Sequence, residues 1–144
     1  MKWLLMALFC AASTPAAAAV DDPDLSWTAG VEARDWVFVG TSAATMMFIK
    51  PAPSPADSAY RRVYVRFEEA APFNRMNFAS MASVEVDEID CAKRSTRVLQ
   101  ITHYAERNMK GESRVDPVDA PMWKVETQGS FGAGILNKSC STLL

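Results

Sequence analysis

Tyr60-Arg-Arg-Val-Tyr-Val-Arg-Phe-Glu68 is the stretch that decides the fold. Its side chains alternate with period two, which is the signature of a β-strand with two different faces. Arg61, Val63, Val65 and Phe67 share one face, and beyond Arg61 that face is apolar and reads as inward. Arg62, Tyr64, Arg66 and Glu68 share the other, which reads as wet. One apolar face and one polar face is the pattern of an antiparallel sheet covered on one side.

Working outward, more strands come into view on both sides. Asp35-Trp-Val-Phe-Val-Gly40 is a short aromatic and β-branched run closed by glycine, and Thr45-Met-Met-Phe-Ile49 follows after a turn at 41–44. The two make a hairpin. Pro51, Pro53 and Pro55 then forbid regular pairing. Residues 70–80 read as a connection. Residues 81–90 read as a strand with Val84 and Val86 inward and Glu85 and Asp87 outward; Ile89 breaks that phase, so a bulge is expected near Glu88. Residues 95–105 form the next strand, with Leu99 and Ile101 on its buried face. Pro117 makes 114–118 an edge strand or a loop, and 122–127 is a further strand. At 130–141 the period changes: Phe131, Ile135 and Leu136 recur at helical spacing behind Ser130, an N-cap residue. Gly132 and Gly134 weaken that helix, so it depends on packing against the sheet. Strands with short turns and one terminal helix read as an α+β domain: a small antiparallel sheet of about six strands packed by a C-terminal helix.

The start of the chain sets the compartment. Met1 to Ala19 has a positive Lys2, a short apolar run and an Ala17-Ala18-Ala19 cleavage site, so 1–19 reads as a signal peptide and 20–34 as a flexible, acidic lead-in anchored at most by Trp27. The domain proper is 35–144. Cys10 leaves with the leader; bulky Phe9 before it argues against lipidation. An exported product, periplasmic or secreted and without a lipid anchor, is therefore expected. No later apolar run is long enough to span a bilayer. Of 3 cysteines, Cys91 and Cys140 remain, and an oxidising compartment favours their pairing as a staple. Two free thiols and half of a metal site are the alternatives; the second lacks nearby residues to complete four ligands. The formal net charge of −2 offers no basic excess for nucleic acid.

No catalytic set is spelled out. His103 stands alone as the one histidine, without a neighbouring nucleophile and carboxylate. Glu85, Asp87, Glu88 and Asp90 suit a solvated strand face better than a cation loop. Met46, Met47, Met76 and Met81 lack the spacing of a soft-metal site and read as packing residues. Arg62, Tyr64 and Arg66 make a guanidinium–aromatic strip of the kind protein interfaces favour, although pairing with the acidic strand 85–90 would account for the arginines equally. Neither a metal nor another cofactor is expected.

Three stretches together resemble the bacterial surface-adhesin protein E family. They are Asp35-Trp-Val-Phe-Val-Gly40; Val84-Glu-Val-Asp-Glu-Ile-Asp-Cys-Ala-Lys-Arg94 with its continuation Val98-Leu-Gln-Ile-Thr-His-Tyr104; and the helix leading from Gly129 to Cys140, approached through Pro121 and Trp123. The resemblance spans 35–141. It implies a small antiparallel sheet carrying a C-terminal helix, with Cys91 joined to Cys140. The family's namesake is a lipid-anchored surface protein that binds host matrix and serum proteins. What the resemblance implies is a non-enzymatic binding module of the cell envelope, with a host or envelope protein as partner and a homodimer as one arrangement. The alternatives are a hydrolase inhibitor, a small periplasmic enzyme, or a haem or metal carrier using His103.

Overall fold

A computed structural model of the chain describes residues 24–75 and 77–141. The expected leader, and Met76 among the methionines, lie outside the described residues. Six strands run in sequence order across one antiparallel sheet: β1 (Val37–Thr41), β2 (Thr45–Pro51), β3 (Arg61–Arg75), β4 (Phe78–Asp90), β5 (Ser95–Glu106) and β6 (Lys110–Pro117). A seventh, β7 (Lys124–Val125), pairs with the start of β5. Helix α1 (Phe131–Cys140) closes the fold. The strand count among the described residues is thus seven rather than about six.

The alternation of 60–68 partitions the sheet as expected. Val63 and Val65 join Met47, Ile49 and Ile89 beneath Ile135 and Leu136 of α1. This is the helix face. Ser130 caps α1 by accepting from the Ala133 N–H at 3.1 Å. Cys91, just past β4, and Cys140, at the end of α1, are disulfide-bonded with Cα atoms 5.7 Å apart, which ties the helix to the sheet. Arg61 adds a second tie, donating to the Ser139 carbonyl at 2.7 Å.

The phase of β4 is the reverse of that expected. Glu85 lies opposite Val65, Asp87 opposite Val63 and Ile89 opposite Arg61, so both acids share the helix face with Ile89, while Val84 and Val86 point to the opposite face. Ile89 belongs to the central core and sets the phase; a two-residue period then carries Asp87 and Glu85 inward with it. No bulge is needed near Glu88. The slip lies instead on β5, where Leu99 falls between Val98, opposite Asp87, and Gln100, opposite Val86.

Residues 70–80 are also no loose connection. β3 runs to Arg75 and turns through Asn77, which has φ of 61°, into Phe78. Pro72 sits in the interruption of pairing between Glu68 and Phe73, where no ladder N–H is required of it.

The opposite face is not simply wet. Arg66 and Glu68 are among the most deeply buried side chains of the described structure. Segment 24–36 and the turn 107–109 cover them. Residues 20–34 read as flexible from their polar composition; of these, the described residues 24–34 hold a short 3-10 helix at Ser26–Gly30. Arg66 donates to the Glu32 carbonyl at 2.8 Å and to Asn108 Oδ1 at 2.9 Å, and the Trp27 indole donates to the Ala43 carbonyl at 3.3 Å.

Candidate functional site

The structure separates the three strip residues Arg62, Tyr64 and Arg66. They share the face opposite the helix, as the alternation requires. Arg66 is 1 % exposed and paired with Glu68 at 2.6 Å, so its guanidinium is committed to the interior. Burial raises the Glu68 carboxyl, against the pull of the Asn108 N–H and of Arg66. Arg62 is half-exposed. It meets Glu88 at 2.7 Å, and Arg97 reaches the other oxygen of the same carboxylate at 2.8 Å. Burial works to raise Glu88, but the hydrogen bonds from Arg62 and Arg97 outweigh it and hold the carboxyl below its ordinary range.

Around this charge cluster lies an aromatic array that the sequence reading missed. The Arg97 guanidinium stacks 4.6 Å from the Trp123 ring centroid and 5.7 Å from that of Tyr60. Tyr60 and Trp123 are themselves 4.8 Å apart. The neighbouring Val125 is strongly exposed. The array assembles from Tyr60 just before β3, Arg97 of β5 and Trp123 just before β7, so no local run announces it. Further along the same face, Lys50 sits 4.5 Å over Trp36 and 5.4 Å over Tyr64. Trp36 is thus part of this surface, Phe38 is exposed on edge strand β1, and Phe48 is buried beneath it.

The helix face holds a second feature. Helix α1 packs over Val63 and Val65 and leaves a cleft toward β5. Its volume is about 380 Å³, and Phe67, Val98, Val118 and Ile135 share its lining with three carboxylates, Glu85, Asp87 and Glu126. Asp87 is 3 % exposed and its Oδ1 has no hydrogen-bond partner. Burial, reinforced by Glu85 and Glu126, pushes its carboxyl well above the ordinary range. Burial likewise pushes Glu85 up to about 7, with Arg75 opposing. Glu126 is anchored: Thr96 donates to it at 2.8 Å, Ser130 at 3.3 Å, and Lys124 pairs with it at 3.1 Å. Of these, Glu85 and Asp87 read from the sequence as belonging to a solvated face; the reversed phase of β4 puts them here, and the chain leaving β7 brings Glu126 to them.

His103 lines an adjoining hollow of about 160 Å³ with Glu85, Arg75 and Ser83. It is buried, its Nε2 has no partner, and burial and Arg75 lower its pKa against the pull of Asp116. Among the described residues no three His, Cys, Asp or Glu side chains are grouped so as to hold a metal ion. No helix among them is long and apolar enough to cross a membrane.

Comparison with curated proteins and with solved structures finds no significant match. The sequence profile of the family described as Surface-adhesin protein E matches residues 36–141, which takes in the whole sheet, the cysteine pair and helix α1. With its expected sheet, terminal helix and Cys91–Cys140 bond in place, the chain belongs to the surface-adhesin protein E family.

Proposed function

We propose that this protein is an exported binding module of the cell envelope that engages a protein partner through the face opposite α1. The observation that carries this reading is the array of Tyr60, Arg62, Arg97 and Trp123, bordered by the exposed Val125. Aromatic and arginine side chains are enriched at protein interfaces because they offer large, pre-positioned contact area together with directional donors. Here the arginines are held in place by Glu88, so less side-chain freedom remains to be lost on binding. Family membership supports a binding role over catalysis. In this reading Arg62 and Tyr64 supply contact surface, and Arg66 holds the platform beneath them.

The test is capture from serum and from envelope extract on the immobilised protein, followed by rebinding of the purified partner to the native chain and to an Arg62→Ala/Trp123→Ala variant. At least a tenfold weaker rebinding by the variant is expected. Equal affinity of the two proteins, or no partner that rebinds, removes the proposal.

A further inference from the structure

We infer that the cleft between α1 and β5 is a binding site for a primary ammonium group carried on an alkyl stem. This goes beyond the partner-binding face, which lies on the other side of the sheet.

The key observation is Asp87. An aspartate 3 % exposed with an unpartnered Oδ1 is rare, because a buried acceptor left without a donor costs about 1–3 kcal/mol. The groups that act on Asp87 make the matter worse: Glu85 and Glu126 are both acidic, and their influence adds to that of burial. A cation placed among them would relieve Asp87 and Glu85, since Glu126 already has Thr96, Ser130 and Lys124. Apart from Thr96, Arg97 and Lys124, the lining beside the acids is apolar, with Ile135 deep and Met122 and Phe131 at the rim, 82 % and 49 % exposed. An acidic end with apolar walls matches a charged head on a hydrocarbon stem, not a hydrated metal ion, which would want a ring of oxygen ligands. A volume of about 380 Å³ falls within the range of small-ligand sites. Lys124 also lines the cleft, but it is largely exposed and pairs with Glu126, and Asp87 Oδ1 remains without a partner.

Two sources carry this chemistry: a lysine side chain presented by a partner protein, or a free aliphatic polyamine. The experiment is a calorimetric titration of the disulfide-bonded protein at pH 8 with cadaverine, with acetyl-Gly-Lys-Gly-amide, and with the neutral counterparts 1-pentanol and acetyl-Gly-norleucine-Gly-amide. Saturable binding of at least one ammonium probe is expected, at least tenfold tighter than its neutral counterpart and weakened at least tenfold by Asp87→Asn. Binding of cadaverine alone assigns the site to free polyamines; binding of the lysine peptide alone assigns it to a partner's lysine. If Asp87→Asn fails to fold, Glu85→Gln supplies the same comparison. No saturation by either ammonium, or unweakened binding by the folded variant, overturns the inference.

Discussion

The carboxylate of Glu126 rests against the backbone of Gly132, filling the space a Cβ would take at that helix position. A side chain end would ordinarily swing away from an intruding methyl. This one is held by Thr96, Ser130 and Lys124. Gly132→Ala should therefore destabilise the protein by about 1–2 kcal/mol, even though alanine is worth about 1 kcal/mol more than glycine in a helix. In a Glu126→Ala background the same change should become stabilising. Urea unfolding of the four proteins measures the sign change, and additive effects would show that the contact is not what limits position 132.

Glu85 makes stability depend on pH in a definite direction. Its carboxyl is raised in the folded protein from 4.5 to about 7, chiefly by burial. The folded state therefore favours the protonated form. The associated stability is fully present below pH 4.5 and is lost as pH rises through about 7. Glu85→Gln should melt with the native protein at pH 4 and be more stable than it at pH 8. The full shift would correspond to about 3 kcal/mol, and solvent at the cleft mouth reduces the expected gain to about 1–2 kcal/mol. Melting curves that differ equally at both pH values would contradict the assignment.

The two arginines of one strand face should behave differently. Arg66→Ala strands the buried Glu68 and releases the Glu32 carbonyl and Asn108, so a loss of about 3–5 kcal/mol is expected. Arg62→Ala leaves Glu88 still paired with Arg97 and should cost about 1 kcal/mol. Hydrogen exchange should also show segment 24–36 opening in the first variant and not in the second. Equal losses would mean that burial does not distinguish the pairs.

Replacing both cysteines by serine frees the end of α1. The bond closes a loop with a sequence separation of 49, for which the chain-entropy relation gives about 4 kcal/mol. Chemical denaturation of Cys91→Ser/Cys140→Ser is expected to show a loss of that order. A loss under about 1 kcal/mol would mean that helix packing alone holds the C-terminal element.

Much of the fold is written locally. The alternation at 60–68 marks the two faces of β3, Ser130 marks the start of α1, and the two late cysteines mark its tether. The reading fails where a strand carries apolar residues on both faces. In β4, Val84 and Val86 compete with Ile89, and only the packing of Ile89 against the helix layer decides the phase. The hairpin through Asn77 is hidden by Pro72, which looks like a loop residue until the interruption beside it is seen. Arg66 reads as solvated because its cover comes from residues near 32 and 108, far along the chain in both directions. The cleft is the least legible part. Asp87 and Glu126 meet only because two residues of β7 return to pair with β5, and a pairing that brief leaves almost no periodic trace.

The order of strands in the sheet has a kinetic corollary. From β1 to β6 each strand's neighbour in space is its neighbour along the chain, so the layer can zip together through successive short hairpins, a route with little loop-closure cost. The pairing of β7 with β5 and the seating of α1 follow from farther along the polypeptide. Thiol oxidation is productive only once that seating has brought Cys140 beside Cys91, so the covalent bond acts as a latch thrown after assembly, and its formation rate in refolding reports the arrival of the last piece.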